Sequence, residues 1–199
     1  MDFKALRTAL SDVKTVYIEQ GTDYLFLANG FFLLRLPRHT ALTDKVLKET
    51  KRYFPDVPAE GEGAYRFEKG KRFTHPGLLS RTWQDRVTSY IGELTELFPT
   101  DVVTGRDYYQ RLYTSKTDPL TACWLADMQT DFTKGDARHC WTTRDDTDNQ
   151  PVLMECHSRF KRGYCDYQVY VMHCDMRRGK LAEMAHVLDT VLSNETVSV

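Results

Sequence analysis

The sequence predicts an α+β protein in which antiparallel sheets pack against helices. Three observations carry this prediction. The hydrophobic period switches from helical to alternating near residue 15. An Asn29-Gly30 pair sits between two alternating runs, the composition of a tight hairpin turn. Residues 121–174 then hold β-branched and aromatic runs separated by turn chemistry, and a helical stripe follows.

The elements follow in order. Phe3, Leu6, Leu10 and Val13 recur at helical spacing and predict a short helix over 3–13. Val16 and Ile18 then alternate with Tyr17 and Glu19 as a strand, and Gly21-Thr22-Asp23 turns the chain into a second strand at Tyr24–Ala28. Asn29 and Gly30 are expected at the two central positions of a type I′ turn, where φ is positive. Phe31–Leu36 returns and Pro37 ends the strand, because proline lacks the N–H a ladder needs.

A helix is predicted over 43–54, capped by Thr43 or Asp44 and stopped by Pro55. Residues 55–63 read as a loop, and Lys69-Gly70-Lys71 as the turn of a small hairpin. A longer helix is predicted over 82–98, with Trp83, Val87, Ile91, Leu94 and Phe98 as its stripe and Thr82 with Asp85 as a capping box. A short strand at 102–104 and a brief helix from Asp107 through Tyr113 come next. Strands are expected at 121–128, 137–143, 151–157 and 165–174, and a final helix at 178–193.

At 199 residues the chain is read as a single domain, 1–199, with any subdivision falling near 55–63 or 99–101. The formal net charge is -1, so no global basicity advertises nucleic acid, and such a role requires cations gathered on one face. The start lacks the pattern of a signal peptide, and no apolar run is long enough to span a bilayer. Five cysteines form no disulfide framework, which favours a reducing, cytoplasmic setting.

Three His/Cys pairs, His139-Cys140, Cys156-His157 and His173-Cys174, fall on predicted strands with Cys165 between the last two. Neighbouring strand residues point to opposite faces, so three cysteines or three histidines could gather on one side, and Cys140, Cys156, Cys165 and Cys174 are the candidate soft ligands for zinc. The competing reading is a set of buried free thiols, since no Cys-x-x-Cys spacing pre-forms half a site. The acidic turn at Asp145, Asp146 and Asp148 lacks the glycine and the bidentate glutamate of a calcium loop. Neither a nucleophile elbow nor a phosphate-cradling loop occurs, and Gly61-x-Gly63 is no dinucleotide fingerprint. The reading is of a non-enzymatic protein.

Two segments resemble the bacterial DNA polymerase sliding clamp. Leu6-Arg7-Thr8-Ala9-Leu10 precedes strands that reach Leu27-Ala28-Asn29-Gly30-Phe31, where clamp modules place a short helix before strands ending in an Ala-Thr-Asp-Gly turn. Pro151-Val152-Leu153-Met154 leads to Tyr170-Val171-Met172-His173-Cys174-Asp175-Met176-Arg177, where clamp chains end in a Pro-Val-Leu strand and a Tyr-Val-Val-Met-Pro-Met-Arg strand. His173 replaces a proline, and the chain continues past Arg177. The resemblance implies a clamp-like fold and a partner that is duplex DNA or a replication protein. With room for one enlarged module, ring closure would require a homo-oligomer.

Clamps face DNA with basic helices. Lys45, Lys48 and Arg52 fall on one face of the 43–54 helix with Lys51 adjacent, and Lys4 and Arg7 lie on the first helix. Such side chains neutralise phosphates without reading bases. The competing readings are a solvated helix face on a small interaction or regulatory protein, and the zinc-binding protein above.

Overall fold

A computed structural model describes residues 1–11, 15–29, 31–75, 79–81, 94–104, 109–114, 122–126, 130–143, 152–161 and 163–171. The first helix, α1, spans Phe3–Ser11. Asp2 caps it, its Oδ1 accepting from the N–H groups of Lys4 (2.7 Å) and Ala5 (3.1 Å). Three strands follow as a meander: β1 (Thr15–Gln20), β2 (Tyr24–Ala28) and β3 (Phe32–Pro37). In β3 buried and half-buried residues alternate along the strand, the period of a sheet with distinct faces.

The hairpin is present, but Asn29 plays a different part from the one predicted. It does not adopt positive φ; the described non-glycine residues that do are His39, Lys69 and Lys161. Asn29 instead closes the ladder, donating its N–H to the Phe32 carbonyl at 3.1 Å. Its side-chain oxygen accepts from the N–H groups of Phe31 (2.8 Å) and Phe32 (2.9 Å). Its side-chain nitrogen donates to the Ala9 carbonyl at 3.1 Å, which ties the hairpin to the end of α1.

Helix α2 spans Ala41–Thr50, and its cap is Thr40 rather than Thr43 or Asp44. Thr40 Oγ1 accepts from the Thr43 N–H at 3.1 Å, and the Thr43 hydroxyl turns back to the Pro37 carbonyl at 2.6 Å. The 55–63 stretch leads into β4 (Ala64–Glu68), which pairs with β1, and β5 (Lys71–His75), which pairs with β4. Glu68 faces Lys71 across a two-residue turn at Lys69-Gly70, both with positive φ, as a type I′ turn requires.

Two predicted helices are corrected. Residues 94–98 belong to β6 (Leu94–Thr104), which pairs with β7 (Tyr109–Thr114), so the brief helix through Tyr113 is also a strand. Leu94 and Phe98 satisfy a helical stripe by spacing, yet a short apolar run cannot be assigned by periodicity alone. Ladder partners on both sides of β6 decide the matter. Residues 79–81 are already helical, ahead of the predicted start, and 82–93 lie outside the described residues. So does the predicted final helix. Position 99 within the proposed subdivision sits in β6, where the register shifts between Pro99 and Val103.

Strands β8 (Ala122–Ala126), β9 (Ala137–Thr143), β10 (Val152–Phe160) and β11 (Gly163–Val171) complete the described sheet, and a 3-10 turn at Asp131–Thr133 precedes β9. Among the described residues eleven antiparallel strands form one sheet, ordered β5-β4-β1-β2-β3-β11-β10-β9-β6-β7-β8. The fold is therefore α+β, an antiparallel sheet with helices. α1 and α2 cover one face, where Leu6, Leu10, Leu42 and Val46 pack with Ile18, Leu34 and Val169. A smaller cluster on the opposite face joins Phe26, Ala64, Leu79, Leu153 and Tyr170. The Glu19 carboxylate anchors that side, accepting from the Leu79 N–H and, at 2.6 Å, from the Ser80 hydroxyl. No described helix is long and apolar enough to cross a membrane.

Candidate nucleic-acid interface

The two helices lie side by side and run the same way along the sheet. α1 begins where the Met1 amino nitrogen meets Ser158 Oγ at 2.8 Å, and ends at the Ala9–Asn29 contact. α2 begins at Thr40, beside Cys165, and the chain after it reaches Phe54, which packs on Phe67 at 4.9 Å between ring centroids. The strand pairings put Ser158 and Cys165 at one end of the sheet and Ala28 and Arg66 toward the other. One layer thus carries Lys4, Arg7, Lys45 and Lys48, while Lys51 and Arg52 fall in the turn that ends α2.

Their states differ. Lys4, Lys48 and Lys51 are exposed. Arg7, Lys45 and Arg52 converge on Glu49, at 2.9, 2.7 and 2.8 Å respectively. The Glu49 side chain is only 3% exposed, so a near-buried carboxylate sits at the centre of three cations. The hydrogen bonds from Lys45 and Arg7, with the nearby charge of Arg52, hold Glu49 down to about 2. Lys45 Nζ also lies 5.6 Å from the Phe3 ring centroid, linking the helices directly. Lys45 and Arg52 stand four before and three after Glu49, the spacing of neighbours on a helix, and that signal was legible in the sequence. The Arg7 contact joins separate helices and was not.

The cysteines partly follow the predicted parity. Cys140, Cys156 and Cys165 are buried free thiols that belong to the helix-covered core. Burial pushes the Cys156 thiol up to about 12, away from the thiolate a metal would need. Cys165 Sγ lies 3.6 Å from Thr40 Oγ1, at the start of α2. Cys174 lies outside the described residues. Among the described residues no three His, Cys, Asp or Glu side chains group closely enough to hold a metal ion.

Beside Cys156 a polar cluster fills the core. The Tyr167 hydroxyl donates to Asp136 Oδ2 at 2.6 Å, and Asp136 Oδ1 meets the Met1 amino nitrogen at 2.6 Å. Burial drives the Tyr167 phenol far above its ordinary range.

The other sheet face carries a row the sequence did not reveal. His139, Glu155, Gln168 and Arg35 lie opposite one another on β9, β10, β11 and β3. Arg35 donates to Gln168 at 2.9 Å, Gln168 donates to Glu155 at 3.1 Å, and the Arg35 guanidinium lies 3.5 Å over the Tyr24 ring. Next to this row His157 is hydrogen-bonded to Asp166 and stacked on Tyr164, with centroids 4.6 Å apart. The row, with Tyr24, His157 and Asp166, lines an open cleft of about 450 Å³. The Asp166 carboxylate orients the His157 ring, and the Cys156 thiol faces the opposite side of the sheet.

No family model, curated protein or solved structure matches this chain. The functional reading therefore rests on the arrangement itself. The helix layer carries cations from both helices, three of them ion-paired with Glu49.

Proposed function

We propose that this protein binds DNA through the α1/α2 layer, as a non-enzymatic, clamp-like module that tethers a replication-associated partner. The observation that carries the reading is the presence of six cations on two neighbouring helices and the turn that ends the second, three of them meeting at Glu49. Arg7, Lys45 and Arg52 also neutralise the near-buried Glu49, whereas Lys4, Lys48 and Lys51 are exposed, and they stand on a chain whose net charge is -1. Ion-paired arginines keep further N–H donors for phosphate oxygens, because a guanidinium carries five. Glu49 fixes the positions of Arg7, Lys45 and Arg52, so less side-chain entropy is lost when phosphates arrive.

Such binding is independent of sequence and driven by counterion release, so affinity falls steeply with salt. Fluorescence anisotropy of a labelled duplex across a salt series measures this. Lys45→Glu, Lys48→Glu and Arg52→Glu should weaken binding and flatten the salt slope. Duplex affinity that is absent, or unaffected by salt, would remove the reading. Ring closure by several copies is the corresponding oligomer proposal. Native mass measurement checks it, with a ring-sized assembly expected and a strict monomer against it.

A further inference from the structure

The β4–β5 hairpin adjoins this helix layer and carries a different chemistry. β5 is the terminal strand of the described sheet, and Lys71, Arg72, Phe73 and Thr74 are all exposed. Phe73 is 41% exposed, a large apolar surface to leave in water. One face of its ring meets the Arg66 guanidinium, 5.0 Å from the centroid. On the other side of the hairpin Arg72 lies 4.9 Å from the Tyr65 ring centroid and 3.6 Å from Asp56. Tyr53, 51% exposed, follows Lys51 and Arg52 directly, and the next residue, Phe54, packs on Phe67 of β4.

The turn adds an independent sign. Lys69 holds φ of 50°, a left-handed conformation that glycine or asparagine adopts at lower cost. A lysine kept there places an ammonium at the hairpin tip at the expense of backbone strain, and such strain clusters at working sites. Arginine and lysine interleaved with exposed aromatic rings is the surface chemistry that grips single-stranded nucleic acid: rings stack on bases while cations follow the phosphates.

We propose that the β4–β5 hairpin binds single-stranded nucleic acid, with Phe73 stacking on a base and Lys69 and Lys71 contacting the backbone. The inference rests on the helix-layer reading in one respect. If both hold, the preferred ligand is a duplex with a single-stranded extension, the duplex on α1/α2 and the extension on β5. An acidic extended peptide pairing along β5, the terminal strand among the described residues, is the rival occupant.

The test is anisotropy with three labelled oligonucleotides: a single strand, a blunt duplex, and a duplex with an extension. The variants are Phe73→Ala and Lys71→Glu for the hairpin and Lys48→Glu for the helix layer. All three positions are exposed, and thermal melting confirms that each variant folds. Phe73→Ala should weaken single-strand binding about ten-fold, and Lys71→Glu should do so with a shallower salt slope. Both should leave the blunt duplex unchanged. Lys48→Glu should do the reverse. Single-strand binding untouched by both hairpin variants overturns this inference, as does binding of an acidic peptide that they weaken in place of the oligonucleotide. Wild-type protein that binds the single strand but not the blunt duplex would overturn the helix-layer reading and leave the hairpin standing.

Discussion

At the scale of single residues, Glu49 and Lys69 make opposite demands on the fold. Glu49 is stabilised by its three cations, and its carboxyl is held at about 2, below the ordinary value of 4.5. A carboxylate depressed on folding contributes stability that is complete above about pH 4.5 and is lost as pH falls toward 2. Melting temperatures of wild type and Glu49→Gln should therefore differ by a constant gap above pH 5, and the gap should close toward pH 2. A gap independent of pH would show that Glu49 acts by packing alone. Lys69 is strained instead. Lys69→Asn should stabilise the protein by about 1 kcal/mol in urea unfolding, since asparagine tolerates the left-handed region. Asn29 explains why a turn signal can be right and its details wrong. The Asn-Gly pair marked the hairpin, yet Asn29 serves as a side-chain acceptor and as a link to Ala9. Asn29→Ala should cost about 1–3 kcal/mol, because it leaves a buried carbonyl and two N–H groups without that partner.

At the scale of elements, the central meander should dominate stability. Leu34 is fully buried between the helix layer and the sheet. Leu34→Ala should cost about 2–5 kcal/mol. Lys71→Ala, on the exposed edge, should stay within roughly 0.5 kcal/mol of wild type. Equal losses at the two sites would mean that the edge hairpin belongs to the cooperative core. The elements legible in the sequence were those whose period and punctuation agree. Residues 15–37 alternate and are bounded by Gly21 and Pro37, and the structure forms β1, β2 and β3 there. The predicted 43–54 helix is present as Ala41–Thr50: Thr40 takes the cap while Thr43 turns its hydroxyl toward Pro37, and the helix ends before Lys51 and Arg52, which lie in the turn after it. Residues 94–98 misled because leucine and phenylalanine four apart fit both a helix and a strand. Only pairing with β7 and β9, distant in sequence, separates the two.

At the scale of the whole molecule, the candidate surfaces assemble from parts that composition cannot show. The basic residues of α1 and α2 were visible one by one, and each helix on its own reads as a solvated face. Their union depends on both helices covering the same side of the sheet, which long-range strand order decides. The row from His139 to Arg35 likewise spans four strands and has no local signature. The cysteines show the limit of parity reasoning. Cys140, Cys156 and Cys165 do share one face, but that face is the packed core, where burial raises the Cys156 thiol to about 12. The central claim is that the α1/α2 layer holds DNA by its backbone. The most direct measurement is duplex affinity from 50 to 200 mM salt (about the range over which phosphate contacts weaken strongly) for wild type and the Lys45→Glu, Lys48→Glu, Arg52→Glu triple variant. The account predicts a steep linear fall of log affinity with log salt for wild type, and weaker binding with a shallower slope for the variant. Identical slopes and affinities for the two proteins would contradict it.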